Sequence, residues 1–277
     1  MIKNLRLLLL AAVLAAACTS PVPLTFQAGE DGSWYVPGEQ LDAWARAILQ
    51  SDDAHAVRLL DQGYRQADSL SADDPQARTL ERFALDVAER FMNLKSPFYD
   101  DHAYEMALDR EQECVHWTSW GRRGMDWRRS ILNLNRPGTR VCDFWLSKGG
   151  EAPDTLLRQL LPGAPLTVLF LYGESCPSCE RLMEEIGANR RFARLAEQGK
   201  AQFISLYTGE DRAEFAALRQ RLPAYWDNWM DRESVVKYNR AFDTRRIPSL
   251  YIIDNKEIVL QRGLESAREV ERFLKSP

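Results

Sequence analysis

Thr167 to Leu182 reads TVLFLYGESCPSCERL. An apolar run, Thr167–Tyr172, breaks at Gly173-Glu174-Ser175. Two cysteines follow, two residues apart, and then a charged, helix-prone segment. A short run rich in β-branched and aromatic residues and bounded by glycine has the pattern of a buried strand. The pair Cys176 and Cys179 has three readings: half of a metal site, a structural disulfide, or a dithiol that exchanges electrons.

Local chemistry gives the third reading its mechanism. With Cys176 as the N-cap of the following helix, Pro177 falls at the first helical position. Proline is favoured there because its missing N–H would have been unpaired anyway. Cys179 then falls at the third helical position. Free backbone N–H groups and the positive end of the helix dipole point at the Cys176 sulfur. They stabilise a thiolate, the nucleophile of disulfide exchange, and Cys179, one turn on, is placed to bond to it and release a mixed disulfide. The dipeptide Pro177-Ser178 between the cysteines does not fix the redox potential. A zinc site needs two further ligands. There is no second Cys-x-x-Cys, and the only histidines are His55, His102 and His116, all far upstream.

Around this motif the second half of the chain alternates. Strand-like runs occur at Leu166–Tyr172, Gln202–Tyr207, Ser249–Ile253 and Glu257–Gln261. Helical patterns lie at Cys179–Glu197, Arg212–Arg221, Ser234–Phe242 and Ser266–Lys275. Strands alternating with helices and closing on a hairpin and a last helix describe a small α/β sandwich. The turn cluster NRPGT, Asn135–Thr139, marks its start.

About 70 residues after the cysteines comes TRRIPSLYIID, Thr244–Asp254. With the Cys-x-x-Cys strand and helix, this segment resembles the thioredoxin superfamily. The resemblance implies that Pro248 is cis and sits against the dithiol at the start of a strand. It also implies that Ile247 turns its N–H and C=O toward an extended substrate strand. The chain is more closely similar to TlpA-like and ResA-like proteins, which are membrane-anchored, extracytoplasmic thioredoxin-fold oxidoreductases. NRPGTRVCDFWL, Asn135–Leu146, looks like their lead-in, an added N-terminal β-hairpin. The match covers Asn135–Pro277. YDDHAYEMALDR (Tyr99–Arg110) and PAYWDNWMD (Pro223–Asp231), read as an insertion after Arg221, resemble a lipid-anchored subgroup with a helical N-terminal domain of unknown function. Two positions depart from thioredoxin itself. Ser175 stands where thioredoxin has tryptophan, and the strand Thr167–Tyr172 lacks the buried acid that serves as a proton relay. Glu174 and Glu180 flank the motif as solvent-facing residues, and no general base is assigned.

The N-terminus supplies an address. MIKNLRLLLLAAVLAAACTS opens with Lys3 and Arg6, continues with an apolar run of 11 residues, Leu7–Ala17, and ends at a cysteine. That is a secretory signal layout, and the run is short of the about 20 residues a membrane-spanning helix needs. The end resembles a bacterial lipoprotein signal, which makes Cys18 the lipidated N-terminus, although Ala15 replaces the usual leucine. A plain secreted protein cut after Ala-x-Ala is the alternative. Disulfides persist outside the cytoplasm, and four of the five cysteines remain after Cys18. The net charge of −4 gives no reason to expect a nucleic-acid partner, which normally shows as a basic domain.

Between Glu39 and Asn135 the pattern is helical. Leu80, Phe83, Ala84, Val87, Ala88, Phe91 and Met92 step along one helix face, as do Leu41, Trp44 and Ile48. Ser71–Pro75 is read as a helix start and Lys95–Pro97 as a stop. Four or five helices are expected, with no strands. The domain plan is therefore 1–17 signal peptide, 18–38 lipid-anchored tether, 39–134 helical domain and 135–277 thioredoxin-like domain. The fold class is an α/β thioredoxin-like C-terminal domain preceded by an all-α N-terminal domain.

Cys114 and Cys142 straddle the boundary. Either they form a structural disulfide, worth roughly 3–4 kcal/mol in the chain-entropy model, or they are two unrelated buried thiols. Trp117, Trp120, Trp127 and Trp145 cluster near them and are expected to be interdomain core rather than a ligand platform. RRGMDWRR, Arg122–Arg129, is locally basic after an acidic stretch; a solvated, mutually paired surface is the favoured reading, and attraction to anionic lipid or a partner is the alternative.

The expected function is an extracytoplasmic thiol–disulfide oxidoreductase that reduces protein disulfides through Cys176 and Cys179. Ile247 and Pro248 hold the substrate, a separate redox partner donates electrons, the lipid anchor holds the membrane, and neither cofactor nor metal is called for. The rival readings are an envelope binding or scaffold module whose helical domain captures a partner, and a disulfide oxidase or isomerase.

Overall fold

Leu166–Tyr172 (β5) is an interior strand of the sheet in the second half of the molecule, and every residue after Leu166 in it is buried. A strand flanked on both sides and covered on both faces tolerates few polar side chains, which accounts for the continuous run LTVLFLY. The computed structural model describes residues 24–73, 78–150, 153–238 and 241–275. The signal segment 1–17 and the lipidation residue Cys18 lie outside the described residues. The chain divides into two units, Met1–Arg129 and Ser130–Pro277.

The first unit is built on helices α1 (Gly38–Leu49), α2 (Asp53–Ala72), α3 (Arg78–Phe91) and α4 (Asp101–Glu113). A fifth, α5 (Ser119–Asn133), runs across the division. Asp52 and Asp100 cap α2 and α4 by accepting from the amides of His55 and Ala103, both at 2.8 Å, which satisfies N–H groups that the helix itself cannot. The α3 stripe read from the sequence is buried from Leu80 to Met92. Tyr64 meets Phe83 edge-on at 5.1 Å between centroids. Gly63 lets α2 approach, since a Cβ there would lie 2.9 Å from the Phe83 ring. In the same core Glu111, fully buried, is ion-paired with Arg128.

Two sequence readings need correction here. The expected tether is packed from Leu24 onward. A two-stranded antiparallel sheet, β1 (Gln27–Ala28) and β2 (Trp34–Tyr35), is tied to α3 by the Trp34 amide on Thr79 Oγ1 at 2.9 Å. Leu24, Phe26 and Val36 are buried. The clustered tryptophans, in turn, are not core. Trp120, Trp127 and Trp145 are 61%, 57% and 40% exposed, and Trp117 is half-buried. Trp120 and Trp127 are two turns apart and share one outward stripe of α5. The buried tryptophans are Trp44, Trp226 and Trp229.

The second unit carries a seven-stranded mixed sheet. Its other strands are β3 (Trp145–Ser147), β4 (Thr155–Leu156), β6 (Gln202–Tyr207), β7 (Trp226–Asp231), β8 (Ser249–Asp254) and β9 (Val259–Leu264), in the order β4-β3-β7-β6-β5-β8-β9. β5 runs parallel to β6 and β6 to β7, while β8 and β9 are antiparallel additions. Alternate residues serve two cores. Val168, Phe170 and Tyr172 face α7 (Pro177–Gly187), α8 (Arg190–Glu197), α9 (Arg212–Leu218) and α10 (Ala267–Phe273). Leu169 and Leu171 face the lead-in segment, with Val141, Phe144 and Leu146, a short helix α6 (Leu157–Leu160), and Val236, Ala241 and Phe242.

Three differences from the sequence reading lie in this unit. The segment read as an insertion contains β7, a full sheet member. Its polar residues are paired: Asn228 sits opposite Ser205 and accepts from its Oγ at 2.6 Å. Ser234–Phe242 is not helical where described; the Asp231 carboxylate takes the amides of Glu233 and Val236 and holds a turn instead. Cys179–Glu197 is two helices, interrupted before Arg190 where Asn189 caps α8. Finally, Arg262 on β9 donates Nη1 to the carbonyls of Leu132 and Leu134, at 2.7 and 2.8 Å, where α5 ends.

Candidate active site

Cys176 is the N-cap of α7, and its sulfur accepts from the Cys179 amide at 3.2 Å. Ser178 Oγ lies 3.4 Å from the same sulfur. Cys176 is half-buried, whereas Cys179 is 1% exposed and packed with Leu182, Met183 and Ile186 against the sheet. The two are joined in a disulfide. Cys176 is therefore the more exposed member of the pair and Cys179 the buried one.

Pro248 and Ile247 reach this loop through the sheet. In the β5–β8 ladder Leu171 pairs with Ser249, so continuing the strands brings Pro248 and Ile247 alongside Tyr172 and Gly173. The Ile247–Pro248 bond is cis. The Ile247 side chain lies beside Gly173, with Cγ2 3.6 Å from where a Cβ would stand. Ile247 and Cys176 are both partly buried against the same core. Ahead of them Arg245 grips Asp243 with Nε on Oδ1 at 2.9 Å and Nη2 on Oδ2 at 2.6 Å. This fork-to-carboxylate geometry fixes a loop in two dimensions.

The loop before Cys176 is held by carboxylates. Ser175 has a left-handed backbone, φ 48°, a region uncommon for non-glycine residues. Its amide donates to Glu214 Oε1 at 2.8 Å, and Glu214 Oε2 accepts from the Tyr207 hydroxyl at 3.1 Å. Glu174, expected to face solvent, is exposed but engaged: Oε1 accepts from the amides of Glu210 and Asp211. Gly209 leaves room for it, since a Cβ there would collide with the Glu174 side chain. Glu180 pairs with Arg221 at 2.7 Å. Glu174, Glu214, Asp243 and Arg245 were not assigned roles from the sequence. Glu214 lies 39 residues from the amide it holds, and no local pattern announces such a contact.

Of the two readings of Cys114 and Cys142, separate thiols is the one observed: both are free. Each is engaged within its own unit. Cys114 Sγ points at the carbonyls of Tyr64 and Arg110. Cys142 Sγ donates to the Ala241 carbonyl at 2.8 Å and receives Asn135 Nδ2 at 3.1 Å. Burial pushes the Cys114 thiol up to about 12, aided by the charge of Asp68, and the Cys142 thiol up to about 11.

No protein-family model and no curated protein sequence matches the chain. Solved structures do. A thioredoxin-like protein from Bacteroides caccae superposes with a TM-score of 0.69 at 18% identity, covering 86% of this chain and 82% of that one. The C-terminal domain of an uncharacterized Bacteroides fragilis protein aligns at 28% identity with a TM-score of 0.47, over 51% of this chain and 99% of its own. The thioredoxin domain of a thiol-disulfide oxidoreductase from Bacteroides vulgatus aligns at 13% identity with a TM-score of 0.41, over 50% and 99%. The first of these likenesses, together with the sheet order and the helix-capping cysteine, defines the fold: the second unit is thioredoxin-like, and a helical region precedes it.

Proposed function

We propose that the protein is a thiol–disulfide oxidoreductase that reduces disulfides in other proteins. One observation carries this reading. A half-buried cysteine caps a helix in a thioredoxin-like unit and is disulfide-bonded to a buried cysteine one turn on. In the reduced enzyme the α7 amides favour the Cys176 thiolate. That thiolate attacks one sulfur of the substrate disulfide, forming a mixed disulfide and expelling the other substrate sulfur as a thiolate. Cys179 then attacks the Cys176 sulfur, closing the Cys176–Cys179 bond and releasing the second substrate thiol. Two electrons and two protons pass to the substrate, and the enzyme is left oxidised. Ile247 and Pro248 act as the docking edge for an extended substrate strand. A separate dithiol donor returns the enzyme to its reduced state.

The secretory layout of residues 1–17 supports work outside the cytoplasm, on the periplasmic side of a bacterial envelope with Cys18 carrying the lipid. The test is a substrate trap. Cys179→Ala, expressed full length in the envelope, accumulates proteins bound to Cys176 as mixed disulfides that a reductant releases. Failure of the purified wild type to reduce any protein disulfide overturns the reading.

A further inference from the structure

Two carboxylates cross between the Cys176 loop and the β6–α9 turn in opposite directions. Glu174 leaves the loop and accepts from the amides of Glu210 and Asp211. Glu214, half-buried on α9, returns and accepts from the amide of Ser175. Asp211 caps α9 through the amides of Ala213 and Glu214, at 2.8 and 3.1 Å, so the helix that carries Glu214 is itself anchored. The second oxygen of Glu214 is fixed by the Tyr207 hydroxyl, on a ring buried in the sheet. Ser175 therefore keeps its left-handed turn through a contact 39 residues away, immediately before the nucleophile.

We propose that Glu214, with Glu174, is a positioning residue of the redox centre that also sets its reducing strength. The inference rests on the function proposed above. Its geometric part is direct: the Ser175 turn aims Cys176 into the N-cap position, and Glu214 holds that turn. Its electrostatic part follows from where the charge sits. The oxidised pair carries no charge at sulfur, whereas the reduced pair carries a thiolate at Cys176. A fixed carboxylate bonded to the adjacent amide opposes that thiolate and leaves the disulfide untouched. Destabilising the reduced form makes a dithiol a stronger reductant, the converse of a strong oxidant whose reduced form is stabilised. The helix dipole and the latch thus act on one sulfur with opposite signs.

Full-length Glu214→Gln separates the two parts. The amide keeps an oxygen for the Ser175 N–H and removes the charge. Expected are an alkylation rate of reduced Cys176 at pH 7 that rises by about threefold to tenfold, from one nearby charge in a partly solvated site, and an equilibrium with glutathione shifted toward the dithiol by a similar factor. Hydrogen exchange at the Ser175 amide stays slow in Glu214→Gln and becomes fast in Glu214→Ala. If both variants match the wild type within twofold in alkylation rate and equilibrium, the inference is overturned. If Glu214→Ala fails to fold, Glu214→Gln decides alone. The underlying reading fails differently: the wild type itself then reduces no disulfide and alkylates Cys176 no faster than Cys179.

Discussion

Leu171 and Ser249 face one another across the antiparallel β5–β8 ladder, and that single pairing brings Ile247 to the loop that carries Cys176. A one-residue slip would turn every side chain of β8 to the other face of the sheet and remove Ile247 from Gly173. Gly173→Val tests the arrangement, because its methyl groups would displace the Ile247 side chain now in contact range. Disulfide reduction is expected to fall by about tenfold or more, in keeping with the cost of small misplacements near reacting groups, while circular dichroism stays native.

Of the four described cysteines, only Cys176 should react quickly once the protein is reduced. Cys179 is 1% exposed and Cys114 is 7% exposed. Burial raises the thiols of Cys114 and Cys142 to about 12 and about 11, and a thiol held protonated is a poor nucleophile. Brief alkylation at pH 7 followed by mass spectrometry should find one modified cysteine. A Cys114→Ser/Cys142→Ser double variant should retain full reductase activity.

The buried Glu111–Arg128 pair makes the helical unit sensitive to pH. Burial raises the Glu111 carboxyl from its ordinary 4.5 to about 7, against the opposing pull of Arg128. Between those values the folded chain holds a proton that the unfolded chain has released, so this group's contribution to stability declines as pH rises from 4.5 to 7 and is level above. Arg128→Met leaves the carboxyl buried without its partner and should cost about 3–5 kcal/mol at pH 8. The loss at pH 5, where Glu111 is protonated, should be clearly smaller. Thermal unfolding of both proteins at the two pH values measures the difference.

Asn135 is a single-residue brace. Its φ of 47° lies in the left-handed region, which asparagine tolerates better than most residues. Its side chain takes the Cys142 amide at 2.8 Å and gives to the Ala241 carbonyl at 2.6 Å. Asn135→Ala leaves the Cys142 amide without this acceptor and the Ala241 carbonyl with the Cys142 thiol alone, and should lower stability by about 1–3 kcal/mol, read as a shift in the denaturant midpoint with an unchanged slope.

The reacting pair and the central strands were legible because their signals are local. β5 and β6 are short, mostly apolar runs, LTVLFLY and QFISLY, and Cys176-Pro177 carries its own helix start. β7 was missed because WDNWMD offers three polar residues where a buried strand should be apolar. The sheet accepts them by pairing Asn228 with Ser205, Asp227 with Lys148 and Asp231 with backbone amides. The helix expected at Ser234–Phe242 is absent among its described residues for a related reason, since the Asp231 carboxylate takes the amides of Glu233 and Val236. The tryptophans misled because composition reports how much aromatic surface a segment carries, not which way its helix faces. The Glu174–Glu214 latch was invisible, as any contact must be that spans distant segments and depends on backbone amides.

The grip of Arg262 on the carbonyls of Leu132 and Leu134 decides where the chain can be cut. The turn cluster at Asn135 looks like the natural place to begin an isolated redox fragment. A chain started there would discard the Leu132 and Leu134 carbonyls that accept from Arg262 Nη1. A fragment begun at Ser130 retains the last turn of the helix as a plug for that guanidinium. The shorter version is expected to express poorly or melt earlier, even though its sheet and both redox cysteines are complete.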